Sequence, residues 1–217
     1  CEGGTINTIN YNIGGGTNSA SIAWDLPNGA PSGIIFDPST MTISGQVTNN
    51  INTVTTYTYT ITTNGSCTNQ SETGTITVNP DDELILNTSN NNQTICETGT
   101  NNLDPINYSI GGGASAATIN WDPVNGQPSG INFDISTFTL SGTFNGSITT
   151  ETTYSYTITT NGSCQTISSS GNITVKPDDS ITLSSAPGSD NQVNKCEGDA
   201  IDPISYTIGG DDTSAVV

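Results

Sequence analysis

Cysteines and carboxylates are the side chains of this chain that could do chemistry. The sequence has five cysteines, 20 acidic residues and two lysines, with no histidine. Without histidine, neither a Ser-His-Asp triad nor a Cys-His pair can form. The cysteines also lack the CxxC spacing and the histidine partners of common zinc sites. The chemistry that remains is disulfide formation and oxygen coordination by carboxylates.

The charge balance excludes two classes of partner. The formal net charge is −18, although only 10% of the residues are charged. Such a chain repels phosphate backbones and anionic lipid, so we expect it to bind neither nucleic acid nor a membrane surface. No stretch of about 18 apolar residues occurs either, so no membrane insertion is predicted in this segment.

Internal repetition determines the domain organisation. Residues 11–82 align without a gap on residues 108–179, and 44 of the 72 aligned positions are identical. A third copy begins near Cys196, which is followed by glutamate and glycine, as Cys1 is. We therefore predict one repeat over residues 1–80 that lacks its first strand, a complete repeat over 81–179, and the start of a truncated third repeat over 180–217.

The elements that must position these groups are β-strands. Tyr57, Tyr59 and Ile61 alternate with threonines, the period-2 pattern of a strand with one apolar face, and residues 154–160 repeat it. The following Asn64-Gly65 predicts a tight turn, with a return strand over residues 73–78. Further strands are predicted over residues 9–13, 20–24 and 84–86, separated by Gly, Pro and Asn clusters. This spacing predicts an all-β fold of tandem immunoglobulin-like β-sandwiches.

Two tryptophans occupy equivalent positions in the repeats. Trp24 alternates with Ala20 and Ile22 on one strand face, and Trp121 is its counterpart. We predict that they form the centre of each core, because a large aromatic side chain can bridge two sheets. The alternative is an exposed platform on which a sugar ring stacks, and the solvent exposure of the two rings distinguishes these interpretations.

The cysteines predict one disulfide per repeat. The spacing from Cys1 to Cys67 nearly equals that from Cys96 to Cys164, and Cys196 would pair with a cysteine outside this sequence. We prefer the pairs Cys1–Cys67 and Cys96–Cys164, because the first strand and the last turn lie at the same end of an immunoglobulin-like sandwich. The competing pair is Cys67 with Cys96 across a junction. Either pairing implies an oxidising, extracytoplasmic compartment.

Paired carboxylates follow a proline at each repeat junction. These are Asp81 and Asp82 at the first junction and Asp178 and Asp179 at the second. Calcium takes six to eight oxygen ligands, so a calcium ion could bind at each junction and stiffen it. The alternative is a solvated acidic linker.

Four further aspartates, Asp25, Asp37, Asp122 and Asp134, lie in turn sequences. A glycosidase would need two such carboxyl groups at a fixed separation in a cleft. Because these aspartates recur in every repeat and precede turn residues, we interpret them as turn caps. We expect no catalytic residues and no enzymatic activity.

Several motifs in fixed order resemble a known family. Residues 26–45 read LPNGAPSGIIFDPSTMTISG, preceded by YNIGGG and followed by YTYTITTNGSC and GTITV. This pattern, which covers nearly the whole chain, resembles the Ig-like and PKD-like tandem repeats of giant Bacteroidota cell-surface adhesins of the gliding-motility type. The resemblance implies secretion by the type IX route and no catalytic residues.

From these observations we predict a structural or adhesive stalk on a bacterial cell surface. It would be a semi-rigid, disulfide-stapled rod that mediates adhesion or gliding. Its partners would be extracellular surfaces, glycans or neighbouring copies in a filament. The alternative is a carbohydrate-binding or spacer array of a large secreted enzyme.

Overall fold

The structure is a computed structural model that describes residues 1–99, 102–210 and 214. Sixteen β-strands make up the regular structure of these residues. In chain order they are β1 (Ile9–Asn10), β2 (Thr17–Trp24), β3 (Ile34–Asp37), β4 (Thr42–Gly45), β5 (Thr55–Gly65), β6 (Ser71–Val78), β7 (Asp82–Leu86), β8 (Asn92–Cys96), β9 (Leu103–Gly112), β10 (Ala114–Trp121), β11 (Ile131–Asp134), β12 (Thr139–Gly142), β13 (Thr152–Gly162), β14 (Ser168–Lys176), β15 (Ser180–Leu183) and β16 (Tyr206–Gly209).

The first six strands form two sheets. One has the order β1-β4-β3 and the other β2-β5-β6. All of their pairs are antiparallel, and the alternation predicted for residues 57–61 holds, because Tyr57, Tyr59 and Ile61 are buried. Their side chains face Ile43 of the other sheet in one apolar core. This is the two-layered arrangement that the strand spacing predicted.

The next eight strands form two larger sheets, with the orders β11-β12-β9-β7 and β10-β13-β14-β8. Each therefore repeats a sheet of the first set and adds a strand at one edge. One of the added strands, β7, was predicted as residues 84–86. The other, β8, was not predicted, and it pairs with β14 in parallel. The last two strands, β15 and β16, form an antiparallel pair of their own.

The chain divides into two compact units. Unit 1 comprises Cys1–Ile85, Ser109–Thr118 and Ile158–Ser169. Unit 2 comprises Leu86–Tyr108, Ile119–Thr157 and Ser170–Val217. The fully buried side chains of unit 2 include Tyr156, Ile106, Ile131, Leu140, Ile173 and Val175. The repeat boundaries at residues 80 and 179 are not tested by this division and stay predictions.

The tight turn predicted at Asn64-Gly65 is wrong. Both residues continue β5, because Asn64 pairs with Ser19 and Gly65 pairs with Thr17 on the neighbouring strand. The reversal comes later, and Thr63 N donates to Gln70 O at 2.9 Å to close it. Neither Gly65 nor its counterpart Gly162 has a positive φ. The glycine is instead required by close packing, which at Gly162 involves Asp82.

Candidate functional site

The segment over residues 80–83 is held within unit 1 by the GGG sequence at residues 111–113 and by the turn after β13. Gly113 N donates to Asp81 O at 2.9 Å, and Asp82 N donates to Gln165 O at 3.1 Å. A Cβ atom on Gly112 would overlap the carbonyl oxygen of Asp81, and Gly112 has a φ of +60°. Only glycine combines that backbone conformation with so close an approach. The repeated GGG sequence is therefore a docking surface for the Pro-Asp-Asp segment.

A disulfide joins this site to the start of the chain. Cys1 and Cys164 are bonded, with a Cα–Cα distance of 5.5 Å. Glu2 N donates to Asn79 O at 2.9 Å, and Cys164 Sγ lies 3.5 Å from the same carbonyl oxygen. Asn79, which directly precedes the docked segment, thus brings the two cysteines together.

The predicted pairs Cys1–Cys67 and Cys96–Cys164 are therefore wrong. The prediction identified the two kinds of cysteine correctly, one at the start of a repeat and one in the last turn. It assigned them to the same repeat, whereas the start cysteine bonds the turn cysteine of the following repeat. The physical reason is the docked segment, which places the turn after β13 beside Asn79. The competing pair, Cys67 with Cys96, does not form either: the Cys67 and Cys196 thiols are exposed, and Cys96 is half-buried.

The glutamate after each start cysteine has a positioning role that the sequence reasoning missed. Glu2 Oε2 accepts a hydrogen bond from Ile51 N at 3.1 Å, and Glu97 Oε1 accepts one from Ile148 N at 3.2 Å. Each glutamate thus fixes the start of its repeat to a loop of the same repeat. The recurrence of the Cys-Glu pair was the available signal, but sequence alone did not show what the carboxylate binds.

The paired carboxylates at the two junctions have different environments. Asp82 is 6% exposed, and neither of its carboxylate oxygens has a hydrogen-bond partner among the described residues. Asp81 Oδ1 accepts from Gln165 N at 3.4 Å. At the second junction, Asp178 accepts from the backbone and hydroxyl of Thr98, and Asp179 is exposed.

Only the first of these places holds a buried carboxylate without a hydrogen-bond partner among the described residues. A buried carboxylate without a partner is costly unless a cation or a proton compensates it, and Asp82 meets this condition. The described residues contain no group of three or more Cys, Asp or Glu side chains that could hold a metal ion. Any further ligands would therefore have to be backbone oxygens or water, and calcium at Asp81, Asp82, Asp178 and Asp179 stays a prediction.

Three of the four turn aspartates act as predicted, and the role of Asp25 stays a prediction. Asp37 Oδ1 accepts from Ser39 N at 2.8 Å and Ser39 Oγ at 2.6 Å, and Asp134 binds Ser136 at the same distances. Asp122 Oδ1 accepts from Val124 N at 2.8 Å. The serine hydroxyl and amide lower the pKa of Asp37 and of Asp134, because both hydrogen bonds favour the ionised carboxylate. These carboxylates therefore serve the turns.

The tryptophans lie at the margin of the core and not at its centre. Trp24 is half-buried, and its ring centroid is 5.1 Å from that of Tyr59, while Trp121 is half-buried and 5.4 Å from Tyr156. The prediction of a central tryptophan is therefore wrong, because tyrosines from the longest strands occupy that place. Burial also raises the pKa of Tyr59 and Tyr156 well above the ordinary value for tyrosine.

The exposed side of Trp121 opens on a cleft in unit 2. Its volume is about 440 Å³, and residues with amide and carboxylate side chains line it together with Trp121. They belong to Asn92, Asn120, Asp122 and Asn172. An aromatic face beside hydrogen-bonding amides has the chemistry of a sugar-binding cleft.

A second cleft lies in unit 1, along the GGG sequence of the first repeat. It has a volume of about 400 Å³, and its lining includes Tyr11, Ile13, Gly15 and Cys67. In the second repeat Gly112, the residue equivalent to Gly15, lies against Asp81 of the docked Pro-Asp-Asp segment. Sequence reasoning did not identify this cleft, because the repeat pattern does not reveal which surfaces another segment covers.

Comparison with known proteins supports the fold. Residues 4–80 match the family model described as Putative Ig domain. This part of the chain is an Ig-like repeat, and the chain has an all-β, Ig-like sandwich fold. A search of curated proteins gave no match. Among the described residues, no helix is long and apolar enough to cross a membrane.

Several solved structures are similar to the chain. An I-band fragment of titin has a TM-score of 0.49 at 13% identity, with 82% of this chain and 62% of the fragment covered. Drosophila N-cadherin EC1-4 has a TM-score of 0.41 at 10% identity, covering 89% and 52%. Human protocadherin-24 EC1-2 has a TM-score of 0.45 at 12% identity, covering 73% and 82%. The chain thus spans about three fifths of the titin fragment and half of the N-cadherin fragment.

Proposed function

We propose that the chain is a force-bearing segment of an extracellular structural or adhesive repeat protein. The observation that carries this proposal is the Cys1–Cys164 disulfide. A force applied at the first residue passes through this bond to Cys164 and bypasses residues 2–163. The hydrogen bonds of the first repeat then bear little of the load, whereas β14 of the second repeat lies beyond Cys164 and remains in the loaded part of the chain. The disulfide also agrees with an oxidising, extracytoplasmic compartment.

Single-molecule pulling between handles at the two ends tests this role. In the oxidised chain only residues beyond Cys164 should extend. Reductant should release about 570 Å of additional length, since the disulfide encloses a sequence separation of 163 residues and an extended chain measures about 3.5 Å per residue. The Cys164→Ser variant should reach the long extension without reductant. The Cys67→Ser variant should extend only as far as the oxidised wild-type chain. An oxidised chain that extends fully would contradict the proposal.

The finer assignment, to cell-surface adhesins of the gliding-motility type in Bacteroidota, rests on the motif resemblance. The absence of histidine and the turn-capping role of Asp37, Asp122 and Asp134 favour a non-catalytic segment. Adhesion itself is tested with beads coated with the oxidised chain. We expect them to be retained on glycan-coated or protein-coated surfaces more than beads coated with a protein of equal charge.

The cleft at Trp121 favours carbohydrate binding as a second candidate function. Titration with soluble glycans should change the fluorescence of Trp121, and Trp121→Ala should abolish binding. The matched control is Trp24→Ala, because Trp24 packs on Tyr59 as Trp121 packs on Tyr156. The cleft at Trp121 is also lined by Asn92 of β8, a strand that the first repeat lacks among the described residues. If Trp24→Ala weakens binding as much as Trp121→Ala does, the Trp121 cleft is not the sugar site.

A further inference from the structure

Asn-Gly pairs occur at five places in the sequence, residues 28–29, 64–65, 125–126, 145–146 and 161–162. Asparagine before glycine can rearrange spontaneously, because glycine leaves its own backbone nitrogen unhindered and the main chain free to turn. The pairs that begin at residues 64, 145 and 161 are each followed by serine, so their local sequences are the same. A difference in reactivity among these three in the folded chain therefore comes from the structure around them.

The two pairs that follow the tryptophans are protected by their turns. Asn28 Nδ2 donates to Thr56 O at 3.0 Å. Gly29 N donates to Asp25 O at 3.0 Å. The pair at residues 125–126 makes the two equivalent bonds, each at 2.8 Å. The attacking nitrogen and the leaving amide are thus both held by carbonyl oxygens, and a reaction would have to break both bonds.

Two further pairs lie inside strands. Asn64 and Gly65 belong to β5, and Gly65 N donates to Asn69 Oδ1 at 3.2 Å. Asn161 and Gly162 belong to β13. Closing a succinimide ring from such a pair requires the main chain to leave its extended conformation, so pairing with the neighbouring strand opposes the reaction.

The pair formed by Asn145 and Gly146 has neither kind of protection. It lies in the loop between β12 and β13, and Asn145 is exposed. Within the described part of the chain, Asn145 Nδ2 and Gly146 N have no hydrogen-bond partner. Ser129 Oγ donates to Asn145 Oδ1. This bond polarises the side-chain carbonyl and stabilises the negative charge that its oxygen acquires when a nucleophile attacks.

From these contacts we propose that Asn145 is a site of spontaneous modification, at which the folded chain converts asparagine to isoaspartate. Gly146 N attacks Asn145 Cγ and forms a C–N bond. The Cγ–Nδ2 bond breaks, and ammonia leaves with the proton of the glycine amide. Water then opens the succinimide at the main-chain carbonyl to give isoaspartate, or at the side-chain carbonyl to give aspartate. Water is the only co-reactant, and no electrons are transferred.

The modification would loosen the loop that contains it. Asn145 N donates to Ser129 O at 3.0 Å, and Ile148 N donates to Glu97 Oε1 at 3.2 Å. Isoaspartate adds a methylene group to the main chain between these two bonds, so they cannot both keep their geometry. It also adds a carboxylate to a cleft of about 310 Å³ that Glu97 already lines. We therefore expect the modified chain to be less stable.

This chemistry is separate from the proposed force-bearing role. Residues 145–148 lie within the span that the Cys1–Cys164 bond bypasses. The extension of the oxidised chain on pulling should therefore be the same before and after the modification, so either property can fail without the other.

Peptide mapping of the full chain tests the site, with electron-transfer fragmentation to distinguish isoaspartate from aspartate. For Asn64, Asn145 and Asn161, the rate of conversion is measured in mildly alkaline buffer and divided by the rate in guanidinium chloride. This ratio should be about tenfold higher at Asn145, because breaking a hydrogen bond or a strand pairing slows a reaction by about that factor. An equal or higher ratio at either of the other two asparagines would overturn the proposal.

Two variants test the contacts themselves. Asn145→Thr is the matched variant, because Thr48 has this position in the first repeat and its hydroxyl lies 2.9 Å from that of Ser32. Aged wild-type chain should unfold at a lower denaturant concentration than fresh chain, whereas ageing should not change Asn145→Thr. Ser129→Ala should slow conversion at Asn145 and leave conversion at Asn64 unchanged. A loss of stability that Asn145→Thr does not prevent, or faster conversion with Ser129→Ala, would contradict the proposal.

Discussion

The carboxylate of Asp82 is the least compensated polar group in unit 1. It is buried, and neither of its oxygens has a hydrogen-bond partner among the described residues. A cation would remove this cost, which is why calcium is still expected here. We predict that calcium raises the melting temperature of the wild-type chain. At a concentration of about 100 times the dissociation constant, the added stability would be about 2.7 kcal/mol.

Two variants separate this site from its counterpart at the second junction. Asp82→Asn should abolish the effect of calcium on the melting temperature, whereas Asp179→Asn should retain it, since Asp179 is exposed. Differential scanning calorimetry measures the melting temperature. If calcium does not change that of the wild-type chain, no calcium ion binds at Asp82.

Asp134 gives a pH-dependent prediction. The hydrogen bonds from Ser136 hold the pKa of its carboxyl below the ordinary value of 3.8 in the folded chain. The lower folded pKa means that the carboxylate contributes stability above pH 3.8, and that this contribution is lost as the pH falls through the folded value. Asp134→Asn should therefore destabilise the chain at pH 7 and have a smaller effect near pH 2.

Chemical denaturation from pH 7 to pH 2 measures this difference. Ser136→Ala is the second variant, because it removes the hydroxyl that contributes most to the lowered pKa and should reduce the pH dependence without removing the carboxylate. A constant stability difference between wild type and Asp134→Asn over the whole range would contradict the assignment.

At this residue scale the sequence predicted local roles well and distant partners poorly. The turn aspartates were identified because an aspartate and a serine two residues later interact within the turn itself. The partner of Cys1 was missed because it depends on which segment docks beside Asn79. Spacing along the chain carries no information about that contact.

At the scale of elements, the long strands β5 and β13 were predictable because their alternation is regular over seven residues. Their ends were not. Asn-Gly is a strong turn signal, but the neighbouring strands β2 and β10 extend far enough to pair with it, and tertiary pairing prevailed over the local preference. The strand β8 was missed for a related reason, since its short sequence has little apolar alternation and its pairing with β14 defines it.

Gly142 at the end of β12 provides a test of close backbone packing. Its φ is +134°, and an added Cβ would overlap the carbonyl oxygen of Gly130. We predict that Gly142→Ala destabilises the chain by more than about 2 kcal/mol, because the methyl group meets backbone that cannot move aside and the conformation is itself unfavourable for alanine. Equilibrium denaturation measures the change.

Gly126 is the matched control for that substitution. It also has a positive φ, +66°, but nothing lies within 4 Å of its Cβ position. Gly126→Ala should therefore cost only the conformational part, about 1–2 kcal/mol. If both substitutions cost the same, the contact with Gly130 does not contribute, and the glycine at position 142 is required by backbone conformation alone.

At the scale of the whole chain, the repeats and the sandwich fold followed from the sequence, because each repeat carries the same apolar pattern. The joining of repeats did not follow from it. That joining depends on the Pro-Asp-Asp segment, the GGG sequence and a cysteine from each of two repeats, and these groups come together only in three dimensions. The disulfide thus joins the start of the first repeat covalently to the last turn of the second.

This role gives a prediction for the stability of the chain. Removing the Cys1–Cys164 bond by Cys164→Ser should lower the free energy of unfolding by about 2–4 kcal/mol, because the bond restricts a very long loop in the unfolded chain. Cys67→Ser should change it little, since that thiol is exposed. Both are measured by urea denaturation of monomeric chains at low protein concentration. A loss of stability with Cys67→Ser and none with Cys164→Ser would restore the pairing within the first repeat.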